Sequence, residues 1–136
     1  MRIKEELEGV ERVLQNLKKE NRDTPILVEG RKDVKALRRL GVSGKIIKIK
    51  RRRTIFHIIE SLRKEHDSLI ILTDWDKAGG KLAYRVKKAC KANCIDCDLI
   101  YRKKLIKYLK KEVKDVESIP SFVKRARRIL KKPGKI

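Results

Sequence analysis

Aromatic side chains make up only 4 % of this 136-residue sequence, and it has a single Trp. A protein that holds unpaired bases on a flat platform needs several exposed rings, so that mode of binding is poorly served. No segment contains an apolar run near the roughly 20 residues that span a bilayer. The opening stretch MRIKEELEGVERVLQ is charged throughout and has no signal-peptide core, which predicts a cytoplasmic protein without membrane attachment. Cys90, Cys94 and Cys97 cannot pair off completely. Cys94 and Cys97 have CxxC spacing, but no second pair or nearby His completes a four-ligand zinc site. They read as small packing residues, with zinc or redox use the lesser alternative.

The most informative deficit is in acid. Asp plus Glu number 18 against 39 Lys plus Arg, a net charge of +21. Such a surface repels itself unless a polyanion lies nearby. Heat adaptation also enriches charge, and the single Gln fits that background, but it enriches both signs. The one-sided excess therefore points to nucleic acid. With so few rings, structured or double-stranded RNA, gripped by shape and phosphate, is favoured over DNA and over single strands.

The length suits one domain over residues 1–136. Ile3, Leu7, Val10, Leu14 and Leu17 recur at helical spacing, predicting an amphipathic helix over 1–21 whose apolar stripe needs a sheet or a partner, a homodimer being one way to cover it. Ile26 to Val28 then forms a short apolar run ended by Glu29 and Gly30. Further runs at Lys45 to Lys50 and Ser68 to Thr73, and a weaker one at Ile95 to Ile100, read as strands. Helical patterns separate them: Val34, Leu37 and Leu40; Ile55, Ile58, Ile59 and Leu62 with Thr54 as N-cap; and Leu82, Val86 and Ala89. This alternation predicts an α/β fold, a four-stranded mostly parallel sheet with helices on both faces and its ligand site beyond the carboxyl ends of the strands. Residues 101–132 read as a basic helical extension, one helix through Leu105, Leu109 and Val113 and another through Phe122, Ala126, Ile129 and Leu130, before a tail from Pro133 and Gly134.

On this scheme three acids converge, Glu29 after the first strand and Asp74 and Asp76 after the third. Carboxylates at i and i+2 on extended chain point the same way, and a third from another strand can close on a hard cation such as Mg2+. Each also has an ordinary reading: Asp76 as the N-cap of the helix from Lys77, Asp33 as an acid at the positive end of its helix, Glu29 as a partner for any of many cations. Gly79 and Gly80 could bring backbone amides to a phosphate or serve only tight packing. Trp75 could stack on a base or pack beside the strand, and His57 and His66 carry no assigned chemistry.

The segments VEGRKDVKAL (28–37) and IILTDWDKAGGKLA (70–83) resemble the Toprim domain, shared by topoisomerases, bacterial-type primases, recombination proteins and small ribonucleases. Glu29, Gly30, Asp33, Asp74, Asp76 and Gly79 match its signature in order and spacing. Within the family the chain is similar to small stand-alone archaeal Toprim proteins and to the ribonuclease that matures 5S ribosomal RNA, an impression to which VKDVESIPSFV (113–123) adds. The resemblance implies a Toprim (Rossmann-like) fold, Mg2+ on Asp74 and Asp76, Glu29 as general acid or base in phosphoryl transfer, and Asp33 in structural support. Many members carry an acid just after the Gly that follows DxD. This chain has Gly80 and then Lys81, which speaks against a second metal and against topoisomerase chemistry.

The predicted phosphate contacts are Gly30, Lys32, Lys77, Gly79, Gly80 and Lys81 around the acids, with Lys50, Arg51, Arg52 and Arg53 on the same rim after the second strand. Further bases at Arg102, Lys103, Lys104, Lys107, Lys110 and Lys111 and over Lys124 to Arg128 would neutralise phosphates without reading sequence, or simply solvate a helix. The leading expectation is an Mg2+-dependent, nucleic-acid-binding protein acting on phosphodiester bonds, ribonuclease-like. The alternative is a non-catalytic accessory module of RNA processing or replication. A phosphoacceptor receiver domain, which would want two acids at the first strand, is a distant third.

Overall fold

A computed structural model describes residues 2–49 and 52–131. Four three- to four-residue strands alternate with helices in the order α1 (Ile3–Glu20), β1 (Ile26–Val28), α2 (Arg31–Arg39), β2 (Ile46–Lys48), α3 (Ile55–Arg63), β3 (Ser68–Ile71), α4 (Lys77–Ala92), β4 (Asp96–Asp98), α5 (Ile100–Leu109) and α6 (Ile119–Lys131). The sheet runs β2-β1-β3-β4, every neighbouring pair parallel, with Ile26 opposite both Ile46 and Ile70 and Leu69 opposite Cys97. This is the α/β architecture expected of the alternating pattern.

Period-two alternation divides the two central strands between two cores. Ile26, Val28, Ile70 and Leu72 face a layer built from α1, α2, α5 and α6, whereas Leu27, Leu69 and Ile71 face α3 and α4. The edge strand β4, with Asp96 and Asp98, carries the polar residues that a solvent-facing edge tolerates and a central strand does not. Thr54 caps α3 as predicted, its Oγ1 accepting from the His57 amide at 3.2 Å.

Three expectations change. The strands are shorter than their apolar runs, and Lys50 and Arg51 lie outside the described residues, as does the tail from Pro133 and Gly134. Val113 is not on α5, which ends at Leu109; it is buried in the connection to α6. The apolar stripe of α1 is covered by the chain's own α5 and α6, with Val10 and Leu17 fully buried, so it is not the face that would join a second copy. Cys90 is buried in the core, Cys94 is exposed, and Cys97 packs against the Cys90 cluster. No helix among the described residues is long and apolar enough to cross a membrane.

Candidate metal and phosphate site

Because β1 and β3 are parallel neighbours, the residues that follow them emerge at the same edge of the sheet. Glu29 follows β1, and its Oε2 accepts from the Asp74 amide at 2.7 Å, joining the two halves of the predicted acid set directly. Asp74 in turn accepts, through Oδ1, from the Val116 amide at 3.0 Å. Asp76 is the N-cap of α4, its Oδ1 accepting from the Gly79 amide at 2.7 Å. Asp33 Oδ2 accepts from the Gly30 amide at 3.0 Å at the start of α2. The ordinary capping roles of Asp33 and Asp76 are therefore real, and each still leaves one carboxylate oxygen outside these bonds.

The connection between α5 and α6 closes the site. The Trp75 amide donates to Lys114 O at 3.0 Å and its Nε1 to Val113 O at 2.6 Å. Trp75 thus packs as a tether rather than standing free for a base. That tether carries Asp115 toward the acids; its Oδ1 accepts from the Ser118 amide at 2.9 Å, and its charge is felt at both Asp74 and Asp33. Arg102 of α5 donates from Nε to Thr73 O at 2.9 Å and from Nη2 to Asp74 O at 2.8 Å, fixing the strand-to-loop transition.

Burial and mutual repulsion dominate the electrostatics. Burial, with the charges of Asp33, Glu29 and Asp115, pushes the Asp74 carboxyl up to about 7, against the lowering effect of the Val116 hydrogen bond. Asp33 is also raised, by burial first and then by Glu29, Glu117 and Asp115. Among the described residues, no lysine or arginine forms a salt bridge with Glu29, Asp33, Asp74, Asp76 or Asp115, in a chain with 39 such cations.

An all-oxygen carboxylate set without ion-pair partners is the donor chemistry that Mg2+ accepts, since Mg2+ keeps several waters and needs only one or two carboxylates. Glu29, Asp74 and Asp76 fit it in kind. They are not gathered around one point: among the described residues no three His, Cys, Asp or Glu side chains are close enough to hold an ion. Backbone amides hold one oxygen each of Glu29, Asp74 and Asp76 in this spread arrangement.

The predicted phosphate contacts divide. Lys77 and Lys81 are exposed on the first turns of α4, and Arg52 and Arg53 are exposed after β2. Lys32 is exposed and pairs with Glu117 at 3.9 Å. Gly79 is a packing glycine, for a Cβ there would lie 1.9 Å from Asp74 O, and its amide is taken by Asp76. The Gly80 amide is likewise used, donating to Asp76 O at 2.9 Å. A Cβ at Gly30 or Gly80 would meet nothing within 4 Å, so open space adjoins the acids at both. Asp115 and Arg102 had no assigned place in the site from sequence. A faint signal existed for Asp115, three residues before Ser118 at a helix start; nothing distinguished Arg102 from its basic neighbours.

Comparison with known proteins agrees with this fold. The Toprim domain profile matches residues 24–119. The UPF0292 protein of Methanosarcina barkeri is 34 % identical over 122 residues, 89 % of this chain and 85 % of the relative. That of Methanocaldococcus jannaschii is 33 % identical over 123 residues, 90 % of this chain and 96 % of the relative. A solved structure of an Aquifex aeolicus protein superposes with a TM-score of 0.68 at 25 % identity, covering 79 % of this chain and 95 % of that one. Toprim domains generally bind Mg2+ through acidic residues, and the domain implies a nucleic-acid-related, metal-binding role. With strands, acids and connections in this arrangement, the chain belongs to the Toprim family, alongside the small UPF0292 proteins of archaea.

Proposed function

We propose that this protein is an Mg2+-dependent enzyme acting on phosphodiester bonds of structured RNA, with Glu29, Asp74 and Asp76 holding the ion. One observation carries the reading: within a surface of net charge +21, no described lysine or arginine forms a salt bridge with the carboxylates at this sheet edge, and the one cation set against them, Arg102, spends its hydrogen bonds on the Thr73 and Asp74 carbonyls. Negative charge that meets Arg102 but no direct ion-pair partner suits a cation and, through it, phosphate. When bound, the ion would polarise a phosphoryl oxygen and stabilise charge on the leaving group. Glu29, held by the Asp74 amide through Oε2, keeps Oε1 available to take or give a proton. The Asp74 peptide is fixed between Arg102 and Glu29, so the acid edge keeps its shape as phosphate arrives. Lys77, Lys81, Arg52 and Arg53 supply phosphate contacts around it.

A non-catalytic RNA-binding module is the second reading, supported by the carboxylates being spread on backbone amides rather than gathered. A panel of structured RNAs incubated with Mg2+ and the full chain separates the two. Metal-dependent products that vanish in Asp74→Asn, with salt-sensitive binding retained, are expected. Equal cleavage by mutant and wild type would remove the acid edge as the active site, and tight binding without any metal-dependent product would assign the accessory role.

A further inference from the structure

A cavity of about 480 Å³ opens between α4 and α5, beside the acid edge. Its walls include Tyr84 and Lys87 from α4, Leu99 at the end of β4, and Ile100, Arg102 and Lys103 from α5, and no acid lines it. Among the described residues the exposed large hydrophobic side chains are Phe56, Tyr84 and Ile100, and the last two, at 62 % and 58 % exposure, both flank this cavity, Ile100 also bordering two acid-lined hollows next to it. A lone exposed apolar residue needs no explanation, but an aromatic ring and an isoleucine left in water beside a ring of cations form a combined surface. Lys88 Nζ lies 5.5 Å from the Tyr84 centroid, adding positive charge at the ring.

We propose that this cavity is a subsite for a single unpaired nucleotide, the base lying against Tyr84 and Ile100 and its phosphate held by Lys87 and Lys103. The chemistry matches a nucleotide at both ends: a flat apolar ring needs a π-face and an aliphatic wall, and a phosphate needs cations with no competing carboxylate. The volume lies in the range of small-ligand pockets. Arg102 connects the subsite to the acid edge, because it lines the cavity while donating to Thr73 O and Asp74 O. On this reading a strand whose phosphate sits at the acids runs on past Arg102 into the cavity. One ring suffices for one base, which is why the overall scarcity of aromatics does not speak against it. By contrast, the cavity between α2 and α6, where Leu40, Pro120 and Val123 lie among Arg39, Lys124, Arg127, Arg128 and Lys131, has cations and an aliphatic wall but no aromatic ring.

The subsite rests on the acid edge being a phosphodiester site, and its test separates the two. An RNA hairpin with a blunt stem and the same hairpin with a short single-stranded tail, at either end, are titrated against the full chain by fluorescence anisotropy. The tailed RNA is expected to bind more tightly. Tyr84→Ala should weaken the tailed RNA by about tenfold and leave the blunt stem unchanged, while Tyr84→Phe keeps the tail preference. Tyr84 is exposed, so these variants should fold. No tail preference in the wild type, or an unchanged one in Tyr84→Ala, overturns the subsite; metal-dependent cleavage abolished by Asp74→Asn would still stand. Loss of binding to anionic phospholipid vesicles in Tyr84→Ala, with RNA binding unaffected, would assign the patch to a lipid surface instead.

Discussion

Replacing Asp74 with Asn should stabilise the metal-free protein at alkaline pH and at the same time remove its response to Mg2+. The carboxyl of Asp74 is raised from 3.8 to about 7 by burial and by Asp33, Glu29 and Asp115. Between those values the folded chain holds a proton that the unfolded chain has lost. Stability contributed by this group is therefore full below pH 4 and declines as pH rises toward 7. A shift of that size corresponds to at most ~4 kcal/mol, and solvent screening of a half-buried group reduces it to about 2 kcal/mol. Asparagine stays neutral and keeps an oxygen for the Val116 amide. The expected result is a Tm for Asp74→Asn about 5–10 °C above wild type at pH 8 without metal, converging with it near pH 4. Glu6, also raised by burial, gives both proteins the same background slope, whereas Asp33 loses the repulsion of Asp74 in the mutant, so the difference reports the interacting pair. Adding Mg2+ at ten times its Kd should raise the wild type by about 1.4 kcal/mol and leave the mutant unmoved. Differential scanning fluorimetry across pH, with and without Mg2+, reads all of this. A mutant less stable than wild type at pH 8, or stabilised equally by Mg2+, would refute the view of Asp74 as a charge held in reserve for a cation.

Gly79→Ala should cost about 3 kcal/mol in denaturant unfolding, because its Cβ would meet Asp74 O at 1.9 Å, whereas Gly80→Ala, facing open space in a helix, should gain about 0.5–1 kcal/mol. Equal effects would mean that Asp74 and Gly79 are not in contact. Arg102→Lys should not rescue the ~2 kcal/mol lost in Arg102→Met, since one ammonium cannot reproduce the forked bonds to Thr73 O and Asp74 O; full rescue in thermal melts would reduce Arg102 to a simple charge. Replacing Arg52 and Arg53 together by Gln should lower the slope of log K for RNA against log salt by about 1–2, and an unchanged slope would take them out of the phosphate contacts.

Much of the architecture was legible in the linear pattern. The apolar runs at Ile26 to Val28 and Ser68 to Thr73 read as buried strands and became the two central ones, while the weaker, acid-bearing segment around Asp96 and Asp98 became an edge. Strand ends then located Glu29, Asp74 and Asp76 at one edge, because parallel strands share a direction and a side chain cannot be far from the end of its own strand. Periodicity and N-capping are short-range effects, which is why residues three or four apart reveal them.

What only the tertiary structure decided are the bonds between segments tens of residues apart. The Asp74 to Val116, Trp75 to Val113 and Arg102 to Thr73 bonds join side chains to backbone groups, and a backbone group has no residue identity to read. The same holds for Gly79, whose necessity comes from a carbonyl five positions away folded against it, and for α1, whose stripe found α5 and α6 rather than another chain. Sequence alone determined where the acids stand in the sheet; the packing of the α5–α6 connection determined what surrounds them, because long-range hydrogen bonds and burial depend on positions in space that no local pattern encodes.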